Sequence, residues 1–228
     1  MDWWNKPRRI AVVVDNPSWV LPYAEALVES SRADGEDAYL AREHAEIERG
    51  SIAFYLGCTK ITPPDVLERN YRNLVVHASD LPNGRGFSPL TWQTIEGKQT
   101  IPICLFEAGK IADDGPVVYR DEMKFEGHEL VDEMRAVCGD VTVGLCHRYL
   151  GEVKPPHAEK QTGAPTYYER RRPPDSRLDP ERSIGEQFDL LRTVDNTHYP
   201  AFFDIRGHRY ELRISKVWAD APSKDDRP

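Results

Sequence analysis

The sequence contains no apolar run long enough to cross a bilayer, and Met1–Pro7 lacks the apolar stretch of a secretion signal. Membrane attachment is not expected, and a cytoplasmic location is. No G-x-G-x-x-G loop, internal repeat or low-complexity tract is present. There are only 4 cysteines, with no C-x-x-C pair and no histidine at zinc-finger spacing. Three of Cys58, Cys104, Cys138 and Cys146 lie in apolar runs, so buried reduced thiols are expected and no metal. Positive charge is in deficit: 30 Lys and Arg face 38 Asp and Glu, a formal net charge of -8. A chain gripping a nucleic-acid backbone usually carries a basic footprint, so nucleic acid is not an expected partner. The local exception is Glu169-Arg170-Arg171-Arg172, which suits either a phosphate or a solvated face.

What is present is an alternation of short apolar runs with helical stretches. The 228 residues, 39% of them hydrophobic, suffice for one full-sized core with a modest appendage. Arg9–Val14, Asp37–Ala41, Ser51–Gly57 and Asn73–His77 read as strands. Trp19–Ala33 carries a helical stripe at Leu21, Ala24, Leu27 and Val28 and stops at Gly35. Thr62-Pro63-Pro64-Asp65 and Ser88-Pro89 each offer a cap and a first-turn proline, the second opening a helix with Leu90, Trp92 and Ile95 that ends at Gly97. Ile101–Phe106 and Val117–Tyr119 bracket the loop Glu107–Gly115. Leu130, Met134, Val137, Val141 and Leu145 mark one long helix over 127–150, despite Gly139 and the β-branched Val141-Thr142-Val143. The pattern predicts an α/β fold, a Rossmann-like, mostly parallel sheet flanked by helices.

Beyond residue 150 the composition turns to proline, charge and polar residues. Residues 151–218 are expected to form an extension: a surface excursion to Pro180, a helix capped by Asp179-Pro180 and bearing Ile184, Phe188 and Leu191, and a hairpin. Ala201–Ile205 and Arg209–Ile214 would pair across Arg206-Gly207-His208. Phe203, Ile205, Tyr210 and Leu212 on one hairpin face can pack inward or join two copies into a homodimer. Residues 219–228 read as a disordered tail.

The chemistry is concentrated after the fourth strand. His77 ends an apolar run, where open α/β sheets present ligand-binding groups, and Ser79–Gly86 is rich in turn residues that must fold over the sheet edge. A second turn, Asp113-Asp114-Gly115, follows another strand, and an aspartate reaching an imidazole would fix its tautomer and raise its basicity. On this reading alone, His77 is as well explained as a satisfied core histidine.

Val76-His77-Ala78-Ser79-Asp80-Leu81-Pro82-Asn83-Gly84-Arg85-Gly86-Phe87-Ser88-Pro89 resembles the H-x-S-L-L-P-x-x-R-G-x-x-P motif of 10-formyltetrahydrofolate-dependent formyltransferases. In that family a D-x-G turn supplies a catalytic aspartate at a separation close to that between His77 and Asp113. The stretch Thr166-Tyr167-Tyr168-Glu169-Arg170-Arg171-Arg172-Pro173-Pro174-Asp175-Ser176-Arg177-Leu178-Asp179 is similar to one in sugar-nucleotide N-formyltransferases, as is Leu191–Phe203. Asp80 matches the H-x-S-D-L-P variant of the compact, pseudaminic-acid-pathway type.

The resemblance implies catalysis by His77 as general base and acid with Asp113 as its partner. It implies 10-formyltetrahydrofolate as donor, held around Ser79, Leu81, Pro82, Ile103, Leu105, Phe106 and Gly115, and a nucleotide-linked amino sugar as acceptor. Lys60, Arg85, Gly86, Tyr167, Arg170 and Arg171 would contact that acceptor, although Arg85 can equally form a salt bridge fixing its own loop. One position departs from the pattern: the family's asparagine two residues before the histidine is Val75 here. Asn73 shares the strand face of His77 but lies about 13 Å down the strand. Asn73, the Gln93 amide, backbone N–H groups near Ser79 and protonated His77 are the candidates for holding the oxyanion. Formylation of methionyl-tRNA or of a carrier-bound amino acid, and a catalytically silent folate or nucleotide-sugar binder, are the competing readings.

Overall fold

The computed structural model describes residues 2–217; the expected disordered tail at 219–228 lies outside the described residues. A six-stranded sheet organises the chain. Its strands are β1 (Arg9–Val13), β2 (Asp37–Ala41), β3 (Gly50–Leu56), β4 (Asn70–His77), β6 (Thr100–Glu107) and β7 (Val117–Lys124), while the short β5 (Arg85–Gly86) stands outside it. Their order across the sheet is β2-β1-β3-β4-β6-β7. The first four are mutually parallel, whereas β6 runs antiparallel to β4 and β7 antiparallel to β6. The mostly parallel α/β sheet expected from the sequence is therefore present, with two antiparallel junctions at one side.

Alternate residues of each strand serve opposite faces. Ile10, Val12, Ile52, Phe54, Leu74, Ile103 and Leu105 build the larger core under helices α1 (Leu21–Ala33) and α4 (Val131–Leu150). Ala11, Val13, Ala53 and Tyr55 face the other way, onto Ile47 just before β3 and Val66 of α2 (Pro64–Leu67). At the antiparallel side Cys104 and Phe106 form a small cluster with Leu81 and Val117. Burying whole side chains such as Phe54, Leu74 and Leu27 contributes about 1.5–3 kcal/mol each.

Helix α4 is unbroken, as expected from its spacing. Gly139, which weakens helix propensity, lies against the Tyr23 ring of α1: a Cβ there would stand 2.4 Å from a ring carbon. Packing thus overrides propensity. The helix expected after Asp179-Pro180 forms only in its second half, where a 3-10 turn over Gly185–Gln187 leads into a short α-helix bearing Phe188 and Leu191. Residues 179–187 instead wrap around the Gln187 carboxamide, which accepts from Asp179 N (2.6 Å) and donates to the carbonyls of Asp179, Arg182 and Ser183. Only α5 (Phe188–Leu191) is α-helical there.

The hairpin is confirmed as β9 (Ala201–Ile205) and β10 (His208–Leu212), shorter on its second strand than expected. Phe203 and Leu212 pack with Leu178, Leu191 and Val194, while Ile205 and Tyr210 stay exposed. Among the described residues no helix is long and apolar enough to cross a membrane.

Candidate functional site

A cavity of about 1400 Å³ opens over the carboxyl ends of β3 and β4 and runs along Ile103 and Phe106 of β6. Parallel strands end here without a following strand partner, so side chains and loop backbone from several elements converge. His77 is the last residue of β4, only 8% exposed but bordering the cavity, with its ring edge-on to Phe106 at 6.5 Å between centroids. Its Nε2 donates to the Gly84 carbonyl at 2.8 Å. A carbonyl can only accept, so Nε2 carries the proton and Nδ1 is the ring nitrogen left to receive one.

Asp113 also borders the cavity, but its carboxylate does not reach the imidazole. Its Oδ2 accepts from Gly86 N at 2.8 Å. The expected His77–Asp113 pair is thus replaced by two contacts to one loop: the histidine on the carbonyl of Gly84 and the aspartate on the amide of Gly86. Asp113 adopts φ +56°, a left-handed conformation that aspartate tolerates better than most residues. The turn ends at Gly115, where a Cβ would fall 1.6 Å from the Glu107 carbonyl oxygen. No other residue fits that approach.

Arg85-Gly86, the two-residue strand β5, pairs with Tyr167-Tyr168, strand β8. This explains the similarity around Thr166–Asp179 in structural terms: that stretch buttresses the histidine loop. Gly84 N donates to Thr166 Oγ1 (2.8 Å), Arg85 N to Thr166 O (2.9 Å) and Phe87 N to Tyr168 O (3.1 Å). Tyr168 stacks on Trp92 of α3 (Pro89–Ile95), and Trp92 Nε1 donates to Glu169 O.

Of the residues expected to bind donor or acceptor, Lys60, Gly86, Ile103 and Phe106 border the cavity with His77 and Asp113. Lys60 belongs to a loop fixed by Asp15, whose carboxylate accepts from Thr59 N (2.9 Å) and Lys60 N (2.8 Å). Burial pushes the Asp15 pKa up, but the bonds from Asn16, Thr59 and Lys60 outweigh it and leave the carboxyl below its ordinary value.

The remaining expected residues support the site from behind. Asn73 is committed elsewhere: its Oδ1 accepts from Tyr55 OH (3.2 Å) and its Nδ2 donates to Leu67 O (2.8 Å), and it does not border the cavity. Gln93 spends its amide on Ala78 O and Pro89 O, and Ser79 N donates to His77 O. The Ser79 side chain is buried, and Leu81 and Leu105 are core residues. Pro82 O accepts from Thr166 N and Gly115 O from Gln161, both as scaffold.

Arg85 realises the structural alternative. It is 7% exposed, and its Nη2 meets Asp114 Oδ1 (2.5 Å) and Gln161 Oε1 (2.7 Å). Tyr167 lies in β8, Arg170 sits over the Phe87 ring, and Arg171 sits over Trp92 with its Nη2 on Asp175 O and Ser176 Oγ.

Sequence reasoning missed the far half of the cavity, bordered by Trp19, Arg135, Cys138, Asp195, His198 and Tyr199. It also missed Gln161, whose surroundings in a polar, proline-rich stretch carry no periodic signal. Among the described residues no cluster of three or more His, Cys, Asp or Glu side chains is arranged to hold a metal ion.

No family model matches the chain. A stretch of 94 residues is 29% identical to a methionyl-tRNA formyltransferase from Rickettsia prowazekii, covering 41% of this chain and 31% of that protein's length. The match thus spans about a third of that curated relative. Among solved structures, a methionyl-tRNA formyltransferase from Clostridium thermocellum superposes with a TM-score of 0.76 at 20% identity, covering 93% of this chain and 95% of that one. A likely sugar N-formyltransferase from Mycobacterium tuberculosis gives 0.71 at 20% identity, covering 91% and 97%. HypX from Aquifex aeolicus, solved with tetrahydrofolic acid, gives 0.67 at 15% identity, covering 90% of this chain and 37% of that one. The chain therefore has the formyltransferase fold, and the resemblance drawn from its motifs is borne out at that level.

Proposed function

We propose that this protein moves a formyl group from 10-formyltetrahydrofolate to the amine of a nucleotide-linked amino-dideoxy sugar carrying UDP or dTDP. The observation that carries the reading is His77 and Asp113, from two separate motif loops, bordering one large cavity in a formyltransferase fold. The neighbour solved with tetrahydrofolic acid supports a folate-type donor. The sugar acceptor rests on the likeness around Thr166–Asp179 and on the sugar N-formyltransferase neighbours.

The neutral amine attacks the formyl carbon, forming a C–N bond and a tetrahedral intermediate whose oxygen carries negative charge. His77 takes the excess proton from the new ammonium at Nδ1, because Nε2 is already donating to Gly84. The carbon–N10 bond then breaks, the oxyanion reforms the carbonyl, and the same proton passes to N10 of the leaving tetrahydrofolate. Asn73, Gln93 and Ser79 N are engaged elsewhere, which leaves imidazolium His77, of the donors considered, to stabilise the oxyanion before it gives up its proton. Asp113 acts by holding Gly86, and through it the loop whose Gly84 carbonyl orients the ring.

Formylation of methionyl-tRNA is the second reading, favoured by the 29% identity over 94 residues. The net charge of -8 speaks against gripping tRNA. Incubating the protein with 10-formyltetrahydrofolate and either a panel of UDP- and dTDP-linked amino sugars or methionyl-tRNA separates the two. Tetrahydrofolate release and a formylated sugar are expected in the first arm only. Release with tRNA alone replaces the acceptor, and no release with any amine despite ligand binding overturns formyl transfer.

A further inference from the structure

The segment from Glu159 to Tyr168, which looks like a surface excursion in sequence, crosses behind both motif loops and is bonded to each. Val117 and Glu159 exchange two backbone hydrogen bonds of 2.8 Å, anchoring one end beside the aspartate turn. Thr166 and Tyr168 anchor the other end on Gly84, Arg85 and Phe87. Between them, Gln161 does something no other side chain of the segment does: its carboxamide contacts both loops at once. Nε2 donates to Asp113 O (2.8 Å) and Gly115 O (2.7 Å), while Oε1 accepts from Arg85 Nη2 (2.7 Å). The same Arg85 nitrogen meets Asp114.

We propose that Gln161 is a positioning residue for Asp113. The two carbonyls it binds flank Asp114, so the amide clamps both sides of the turn in which Asp113 holds a left-handed φ of +56°. Such a conformation persists only where the surroundings over-determine it. With both carbonyls held, the Asp113 carboxylate stays on Gly86 N, and Gly86 is two residues from the carbonyl that orients His77. Gln161 also supplies the acceptor that keeps Arg85 turned away from the cavity. Glutamine suits this position because it offers two donor hydrogens to two carbonyls and an acceptor to a guanidinium. The clamp on the turn is independent of the reaction; its kinetic consequence rests on the formyl-transfer reading.

The test compares the full-length protein with Gln161→Met, similar in length but unable to donate, and Gln161→Glu, which keeps the acceptor for Arg85 but sets an anionic oxygen against two carbonyls. Expected for Gln161→Met are a kcat lowered by about 10- to 100-fold and a Kd for 5-formyltetrahydrofolate within about threefold of the parent. Gln161→Glu should be the slower of the two, since repulsion adds to the lost bonds. A crystal structure of Gln161→Met should show Asp113 off Gly86 N. Unchanged kcat per folded molecule with Asp113 in place, even at a lowered Tm, overturns the proposal, because that is the signature of a merely structural residue. Should the parent protein transfer formyl to no amine, the functional reading fails, and the position of Asp113 in Gln161→Met still decides the role of Gln161.

Discussion

The imidazole Nε2 of His77 and the carbonyl oxygen of Gly84 stand 2.8 Å apart, so a residue seven positions along the chain settles which ring nitrogen is free for chemistry. Gly84 is itself tied down through its amide to Thr166 Oγ1 at 2.8 Å. A strand end, a turn and a segment far along the sequence therefore act together on one proton-accepting atom.

His77→Asn removes the titratable ring, and its shorter amide does not replace Nε2 on the Gly84 carbonyl. Formyl transfer should fall by about 10²- to 10⁴-fold, the usual contribution of a positioned acid–base group. Affinity for a nucleotide-linked amino sugar, measured by calorimetry, should stay within about tenfold of the parent, since the cavity wall is otherwise intact. Activity close to the parent would remove His77 from the proton-transfer role.

Gly115→Ala probes the aspartate turn from its other end. The added Cβ would fall 1.6 Å from the Glu107 oxygen and 2.8 Å from its carbonyl carbon, a backbone clash that no rotamer can relieve. The turn must shift, carrying Asp113 off Gly86 N. A loss of about 1–3 kcal/mol in urea unfolding and a fall in kcat beyond what that loss explains are expected. A variant with parental stability and turnover would show that the turn accommodates the methyl and that its placement is not needed.

Much of this arrangement was legible in the chain. The strand ending at His77, the helices opened by prolines and the parallel sheet follow from apolar periodicity and first-turn prolines, which are local, although neither Thr62 nor Ser88 makes the side-chain cap bond expected of it. The sequence leaves Arg85 open between ligand and scaffold, because an arginine beside a glycine does not disclose that Asp114 and Gln161 wait for it across the fold. Asn73 shares its strand face with His77 as alternation requires, yet its amide answers to Tyr55 and Leu67, partners set by neighbouring elements. The first turns of the helix expected after Asp179 are missing for a similar reason. The Gln187 carboxamide supplies backbone bonds that a helix would otherwise have made, and Gly185 lowers the cost of leaving one.

Asp195, at the far end of the cavity, should make stability depend on acid. Its side chain is only 16% exposed; it accepts from Thr197 N (2.9 Å) and His198 N (3.0 Å) and pairs with Arg135 (2.9 Å). Burial pushes its pKa up, but those bonds outweigh it and hold the carboxyl far below the ordinary value of 3.8. A carboxyl that binds its proton less readily folded than unfolded contributes stability above its unfolded pKa, and that contribution disappears as pH falls through the folded value. Asp195→Asn should therefore cost about 1–3 kcal/mol at pH 7. The gap to the parent should shrink steadily once the pH drops below about 4, the unfolded value. A gap of the same size at pH 7 and pH 3 in urea titrations would mean that the charge of Asp195 contributes nothing.

The thiols should be inert in the folded protein, in an order set by the cavity. Burial pushes Cys58 up to about 12, with the nearby Asp15 charge adding to it, and its Sγ donates to Val13 O at 3.3 Å. Burial likewise raises Cys104 and Cys138 to about 12 and pushes Cys146, wholly enclosed, upward as well. Only the thiolate attacks a disulfide reagent or an alkylating agent, and at pH 8 a thiol of that kind is ionised to roughly one part in 10⁴. Labelling with iodoacetamide should be slower than in urea by about two to three orders of magnitude. Cys58 and Cys138 both border the cavity, but Cys58 is the less buried, so mass-mapped labelling should reach Cys58 first as pH is raised. A ligand filling the cavity should slow that first reaction and leave the labelling of Cys146 unchanged. Rapid modification of Cys58 at pH 8, or protection of Cys146 equal to that of Cys58, would contradict the burial on which the order depends.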